Sequence, residues 1–227
     1  MFHFLFTQPL FNILVVFLNL FHDLGFSIIA ITLLIRIILY PFFYKAAKNN
    51  LVMQKIQPHI QNINEKHKDH PENKSLALLA LYKDNQINPL SSLLIIIVQL
   101  PILIALYSVF HVGITPDSLK DVYSFITTPT IINNLFLNRV DLLLPNLLII
   151  VLAGLFQFIF GLVSLPKNTN PKDPQYLIAK RMLYFTPILT VAVLWKIPSA
   201  LGLYWLTSSL VSLLQQLYIN RKLYGSN

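Results

Sequence analysis

One residue in this chain sits where its chemistry is costly. Arg36 lies inside the run 24–44, which is otherwise uncharged and long enough to cross a bilayer. Nine residues separate it from Lys45, which on a straight helix puts it about 13 Å from the headgroups, beyond the reach of snorkelling alone. Exposing arginine to hydrocarbon at mid-span costs about 2.5–3.5 kcal/mol on insertion scales, so the side chain is expected to face a polar, hydrated interior. The plainer alternative, a neutralised packing charge, needs a membrane-embedded acid, and no span contains one. Asp23, the acid nearest in sequence, stands roughly 20 Å away along the helix, near the opposite interface.

Other apolar runs carry polar side chains that could line such an interior: Thr32 one turn before Arg36, Gln99 and Ser108, Gln157, and Thr207, Ser208, Ser209, Gln215 and Gln216. Each alone is as ordinary as interhelical glue. Together with an unpaired arginine they point to a groove that is wet on one side. Covalent chemistry finds no support. The spans contain no carboxylate pair, no His and Ser arrangement with an acid, no metal-ligand spacing and no phosphate loop, and His67 with His70 reads as a solvated pair in a lysine-rich loop. No catalytic residue, metal or cofactor is expected, and the chain is not expected to be an enzyme. The available chemistry is electrostatic and hydrophobic.

Composition dictates which elements hold these residues. Hydrophobic residues make up 55% and charged residues 11% of the 227, against about 25% charged in soluble domains. Mean hydropathy is +0.62, so the main solvent is lipid. The formal charge of +8 gathers in particular loops, which points to topology and anionic headgroups; direct nucleic-acid recognition is not expected. The absence of cysteine excludes disulfides and thiolate sites. Lacking a basic start and a small-residue cleavage site, the first residues are expected to be neither a signal nor a transit peptide, and a bacterial plasma membrane is the expected home.

Spanning segments are expected at 24–44, 90–112, 142–164, 182–198 and 199–219, the last two joined by a tight turn at Pro198 and Ser199. Asn88 and Pro89 mark a helix start, Pro145 lies in an opening turn, and Pro101 and Pro187 are expected to kink their helices. The segment 45–89 holds seven lysines and four acids, 167–181 holds four cations and one acid, and Arg221 and Lys222 lie in the tail 220–227. The other side, chiefly the loop 113–141, has Lys120 and Arg139 against three acids. The positive-inside rule therefore places 45–88, the loop 165–181 and the C-terminus in the cytoplasm. Within 45–88, Val52, Ile56, Ile60 and Ile63 share one helical face, and Leu76, Leu79 and Lys83 another after the turn-prone 70–73, so a cytoplasmic helical hairpin is expected. Residues 1–22 mix Phe and Leu with Gln8, Asn12 and Asn19. The expectation is a helix in the outer interface, with a sixth span as the alternative. The fold class is an all-α polytopic membrane protein of five spans, with that hairpin and that interfacial helix.

Several of these segments resemble the YidC and Oxa family of membrane protein insertases. "GFSIIAITLLIRIILYPFFY" at 25–44 is similar to the family's first core helix, with Arg36 at its groove arginine, and "MQKIQP" lies in what looks like the start of its cytoplasmic hairpin. "NPLSSLLIIIVQLPILIALYSVF" at 88–110 is similar to the second core helix, and "IPSALGLYWLTSSLVSLLQQ" at 197–216 to the last hairpin. Ser209 stands where the family commonly has asparagine, and the tail is shorter than the basic ribosome-binding tail of some relatives. The resemblance implies a five-helix, monomeric core around a hydrophilic groove open to cytoplasm and lipid. Arg36, Thr32, Gln99, Gln157, Tyr204, Trp205 and Gln215 would form that groove and bind substrate. Nascent membrane proteins would be the substrates, with the Sec translocon, the ribosome and anionic lipids as further partners. The rival reading, a small-solute or anion transporter, would use the same buried cation but usually shows paired broken helices or repeats, and neither occurs here. A third, an assembly factor without a groove, predicts that positions 36, 99 and 157 are dry.

Overall fold

The structure, a computed structural model, describes residues 1–88, 91–112, 115, 117–129, 133–165 and 174–224; within its helices the side chains at 91–96, 111–112, 174–175 and 223–224 lie outside that description. Its architecture is helical: α1 (Gln8–Phe21), α2 (Leu24–Ile38), α3 (Tyr40–Lys66), α4 (Pro71–Asp84), α5 (Ser91–Val112), α6 (Leu147–Ser164), α7 (Pro174–Leu194) and α8 (Ser199–Tyr224). A π-helical turn, His3–Thr7, leads into α1. Between α5 and α6 lie a 3-10 turn, Ser118–Asp121, and a two-residue antiparallel ladder of β1 (Leu135–Phe136) and β2 (Val140–Asp141).

The first expected span is not one straight helix. Asp23, too distant to pair with Arg36, caps α2, its Oδ1 accepting from Phe26 N at 3.0 Å. The helix stops at Ile38, and α3 leaves it at 57°. Pro41 supplies the physical reason: it has no N–H to continue the ladder and suits a first turn. Phe42 N and Phe43 N both donate to Leu39 O, starting the new helix. The estimate of 13 Å from Arg36 to the headgroups along one axis therefore fails. Arg36 occupies the last turn of α2, where the helix dipole favours a cation.

The helix expected over 142–164 starts at Leu147. The carbonyls of Leu142 and Leu144 are engaged elsewhere, accepting from Ala200 N at 2.9 Å and Ser199 N at 3.0 Å, the first amides of α8. Asn146 then caps α6 through Ile149 N. The fourth helix begins at Pro174, eight residues ahead of the expected 182, and the last runs on to Tyr224. Expectations for 166–173, and for Pro89 and Leu90, lie outside the described residues. The helices α5 and α7 run through Pro101 and Pro187 without interruption.

By length and composition, His3–Phe21, Leu147–Ser164 and Tyr176–Leu194 could each cross a membrane, as could α2 with α3 taken as one bent span; the described apolar part of α5 is Ile97–Phe110. In α8 the polar residues Thr207, Ser208 and Ser209 are all buried.

The apolar core unites Leu14, Val15 and Leu18 of α1, Ile28, Ile31 and Ile35 of α2, Leu106 of α5, Ile150 of α6 and Leu203 of α8. Leu119, Val122, Phe136 and Val140 from the α5–α6 connection pack onto it. That connection also holds the polar face of α1: Asn12, 2% exposed, donates to Asp121 O and accepts from Tyr123 N, while Asn19 donates to Thr127 O. A second, smaller cluster of Ile56, Ile60 and Ile87 joins α3 to Leu78, Leu81 and Tyr82.

Candidate functional site

Where the apolar core ends, a cavity of about 440 Å³ opens between α2, α3, α5, α6 and α8. Each helix contributes a stripe set by its own period. On α8, Tyr204, Ser208, Ser212, Gln215 and Ile219 line it, at the three- and four-residue spacing of one helical face. On α3, Phe43, Ala47, Asn50 and Gln54 do the same, carried over the cavity by the bend at Leu39. Gln99 enters from α5 and Gln157 and Ser164 from α6.

Arg36 is the one charged residue among these walls. It is 9% exposed, and its Nε donates to Ser208 Oγ at 3.0 Å, with Nη2 donating to the same oxygen. The Phe43 ring lies 4.7 Å from its guanidinium carbon, a cation–π contact worth about 0.5–2 kcal/mol. Among the described residues the ion pairs are His3 with Asp121 and Lys120 with Asp117, so no carboxylate neutralises Arg36. A single hydroxyl and a ring face do not match five N–H donors. The remaining donors have no acceptor among the described residues.

Around it the amides divide into two kinds. Gln99 donates to the Tyr204 hydroxyl, and Gln157 Oε1 accepts from Thr190 Oγ1 at 2.5 Å and Trp205 Nε1 at 3.3 Å, tying α5, α6, α7 and α8 together. Gln215 Nε2 reaches Arg36 O at 3.5 Å and Asn220 Nδ2 reaches Val163 O at 3.4 Å, the outer limit of a hydrogen bond. Ser164 Oγ is buried and has no partner among the described residues.

The cavity thus brings together Arg36, Gln99, Gln157, Tyr204, Trp205 and Gln215 of the expected set. Thr32 is not among its walls: fully buried, it donates to Ile28 O of its own helix at 2.6 Å. Sequence reasoning missed Phe43, Asn50 and Gln54, whose spacing on one face of α3 was the available signal, and Ser164, Ser212 and Asn220.

Comparisons with known proteins identify the family. A family model described as 60Kd inner membrane protein matches residues 16–226. A membrane protein insertase YidC of Fusobacterium nucleatum is 33% identical over 88% of this chain and 87% of its own length, and one of Clostridium tetani is 34% identical over 85% and 79%. The YidC insertase of Pelagibacter ubique is 32% identical over 96% of this chain, which spans only 39% of that longer relative. A crystal structure of an active YidC insertase with its first transmembrane domain resolved superposes with a TM-score of 0.58 at 27% identity, covering 91% of this chain and 45% of that one. The chain therefore belongs to the 60Kd inner membrane protein family, the family of the YidC membrane protein insertases.

Proposed function

We propose that this protein inserts membrane proteins, receiving the short polar tail of a nascent segment in the cavity around Arg36 and releasing its apolar helix into lipid. The observation that carries this reading is a buried arginine without an acid in a polar cavity. Moving a polar tail into hydrocarbon strips its hydrogen bonds, at roughly 2–7 kcal/mol for each uncompensated group; the hydroxyls and amides of α3 and α8 offset that cost. Arg36 adds attraction for acidic residues of the tail, stronger here than in bulk water.

The apolar core and the α5–α6 connection close one end of the bundle, while α3 and the C-terminal half of α8 border the other. We read the bordered end as cytoplasmic, with α1 lying along the outer surface against Asp121–Thr127, five spans made by α2 with the start of α3, α5, α6, α7 and α8, and α3 with α4 as the cytoplasmic hairpin. Nascent chains are the substrates in this reading; the Sec translocon, the ribosome and anionic lipids are its further partners.

In vesicles containing the purified protein, Arg36→Ala is expected to slow insertion of substrates with acidic tails about tenfold, with neutral tails much less affected and Arg36→Lys intermediate. Undiminished insertion of every substrate by Arg36→Ala would remove charge attraction from the mechanism. Failure of the unaltered protein to insert any substrate would remove the insertase reading itself.

A further inference from the structure

A cavity that accepts tails of many sequences needs to bind what all tails share, and the wall chemistry fits the peptide group. Among the described residues seven carboxamides line it (Asn50, Gln54, Gln99, Gln157, Gln215, Gln216 and Asn220), with no carboxylate and a single cation. A carboxamide presents an acceptor and two donors, so it pairs with a peptide C=O and N–H in either chain direction. Charged side chains could not do so without selecting sequence.

The bond lengths separate structural amides from exchangeable ones. Outside the cavity, side-chain amides are firmly held: Asn12 to Gln8 O at 2.8 Å, Asn19 to Thr127 O at 2.6 Å and Asn85 to Leu81 O at 2.8 Å. Within it, Gln99 and Gln157 are held as firmly and Asn220 Oδ1 accepts from Gln216 Nε2 at 2.9 Å, but Gln215 Nε2 and Asn220 Nδ2 reach backbone carbonyls only at 3.5 and 3.4 Å, and the buried Ser164 Oγ has no partner among the described residues. From the level of Ser208 to Asn220 the α8 stripe extends about 18 Å at 1.5 Å per residue, room for about five residues of extended chain at 3.3–3.6 Å each.

Resting on the insertase reading, we infer that Gln215 and Asn220 recognise the main chain of an extended polypeptide segment, trading their long bonds to Arg36 O and Val163 O for bonds to its peptide groups. The tail is held unfolded and independent of its sequence, while Arg36 reads its charge. These two residues are specificity-determining for chain conformation.

The test uses the full chain in lipid nanodiscs with synthetic neutral tail peptides of about eight residues, fluorescently labelled, and matched peptides in which three central amides are replaced by esters, which removes N–H donors without altering side chains. The unaltered protein is expected to bind the ester peptides about tenfold more weakly. In the Gln215→Met, Asn220→Leu double variant, with folding checked by thermal unfolding, both peptides should bind equally weakly. An ester penalty of the same size in protein and variant, or none in either, would overturn the inference. Ester-sensitive binding without insertion of any substrate would retain main-chain recognition and reject the insertase reading; insertion with ester-insensitive binding would do the reverse. A double variant that fails to fold is replaced by Gln215→Met alone, for which at least half of the logarithmic ester penalty should vanish and an undiminished penalty would overturn the inference.

Discussion

Ser208 is the only hydrogen-bond acceptor that the described residues offer the Arg36 side chain, which makes it a gauge of whether the cavity is wet. In a dry site, Ser208→Ala would leave a buried guanidinium short of an acceptor, and hydrogen bonds to charged groups contribute about 1.5–3 kcal/mol. In a hydrated one, water replaces the hydroxyl at little cost. The expected loss of unfolding stability in detergent is below about 1 kcal/mol, and a loss of about 1.5 kcal/mol or more would indicate a dry pocket. Arg36 was legible in the sequence because an unpaired charge in an apolar run violates a strong rule, and Gln99, Gln157 and Gln215 because polar residues in spans stand out in the same way. Thr32 misled: periodicity put it near Arg36, but its hydroxyl is satisfied by Ile28 O and the cavity begins one turn later. Asn50 and Gln54 gave no such contrast, since polar residues do not stand out in an already polar segment; only their shared helical face with Phe43 marked them.

At the scale of elements, the bend at Leu39 decides what the cavity contains. Pro41 was visible, but its consequence was not: a 57° turn that brings Phe43 onto Arg36 and the α3 stripe into the wall depends on α3 packing elsewhere, on the Ile56 and Ile60 cluster with α4. The late start of α6 was hidden for a related reason, because it depends on the α8 amides claiming the carbonyls of Leu142 and Leu144, a contact remote in sequence. The other end of α2 is fixed by close approach. A Cβ on Gly25 would stand 2.0 Å from Phe136 Cδ2, and Phe136 also meets Phe26 edge to face. Gly25→Ala should therefore destabilise by about 1–3 kcal/mol, as overpacking does. In a Phe136→Gly background, which also removes the Cβ that would stand 2.9 Å away, the same change should cost less than about 0.5 kcal/mol, and an equal cost in both backgrounds would show that the ladder does not press on α2. Thermal unfolding of the four proteins supplies the comparison.

At the scale of the whole molecule, apolar packing and polar space are segregated. The core packs α1, α2 and the α5–α6 connection together, while the cavity lies apart from it and its one charge has no carboxylate partner among the described residues. Such a cavity sacrifices packing that would otherwise stabilise the bundle, which is consistent with its being kept for a passing ligand. Composition and charge spacing made the helical, membrane-bound class evident, and the family motifs made the groove an expectation; the separation of the apolar core from the polar cavity emerges only from long-range contacts. The chain has no cysteine, so single cysteines can be introduced without background. Placed in intact vesicles at Ser208, Ser212 and Gln215 on the cavity stripe, and at Leu210, Leu214 and Leu217 on the exposed face of the same helix, they should respond differently to a membrane-impermeant thiol reagent. The account predicts fast labelling of the first three from the lysine-rich side and none of the last three; equal protection of both sets would contradict a water-filled cavity around Arg36.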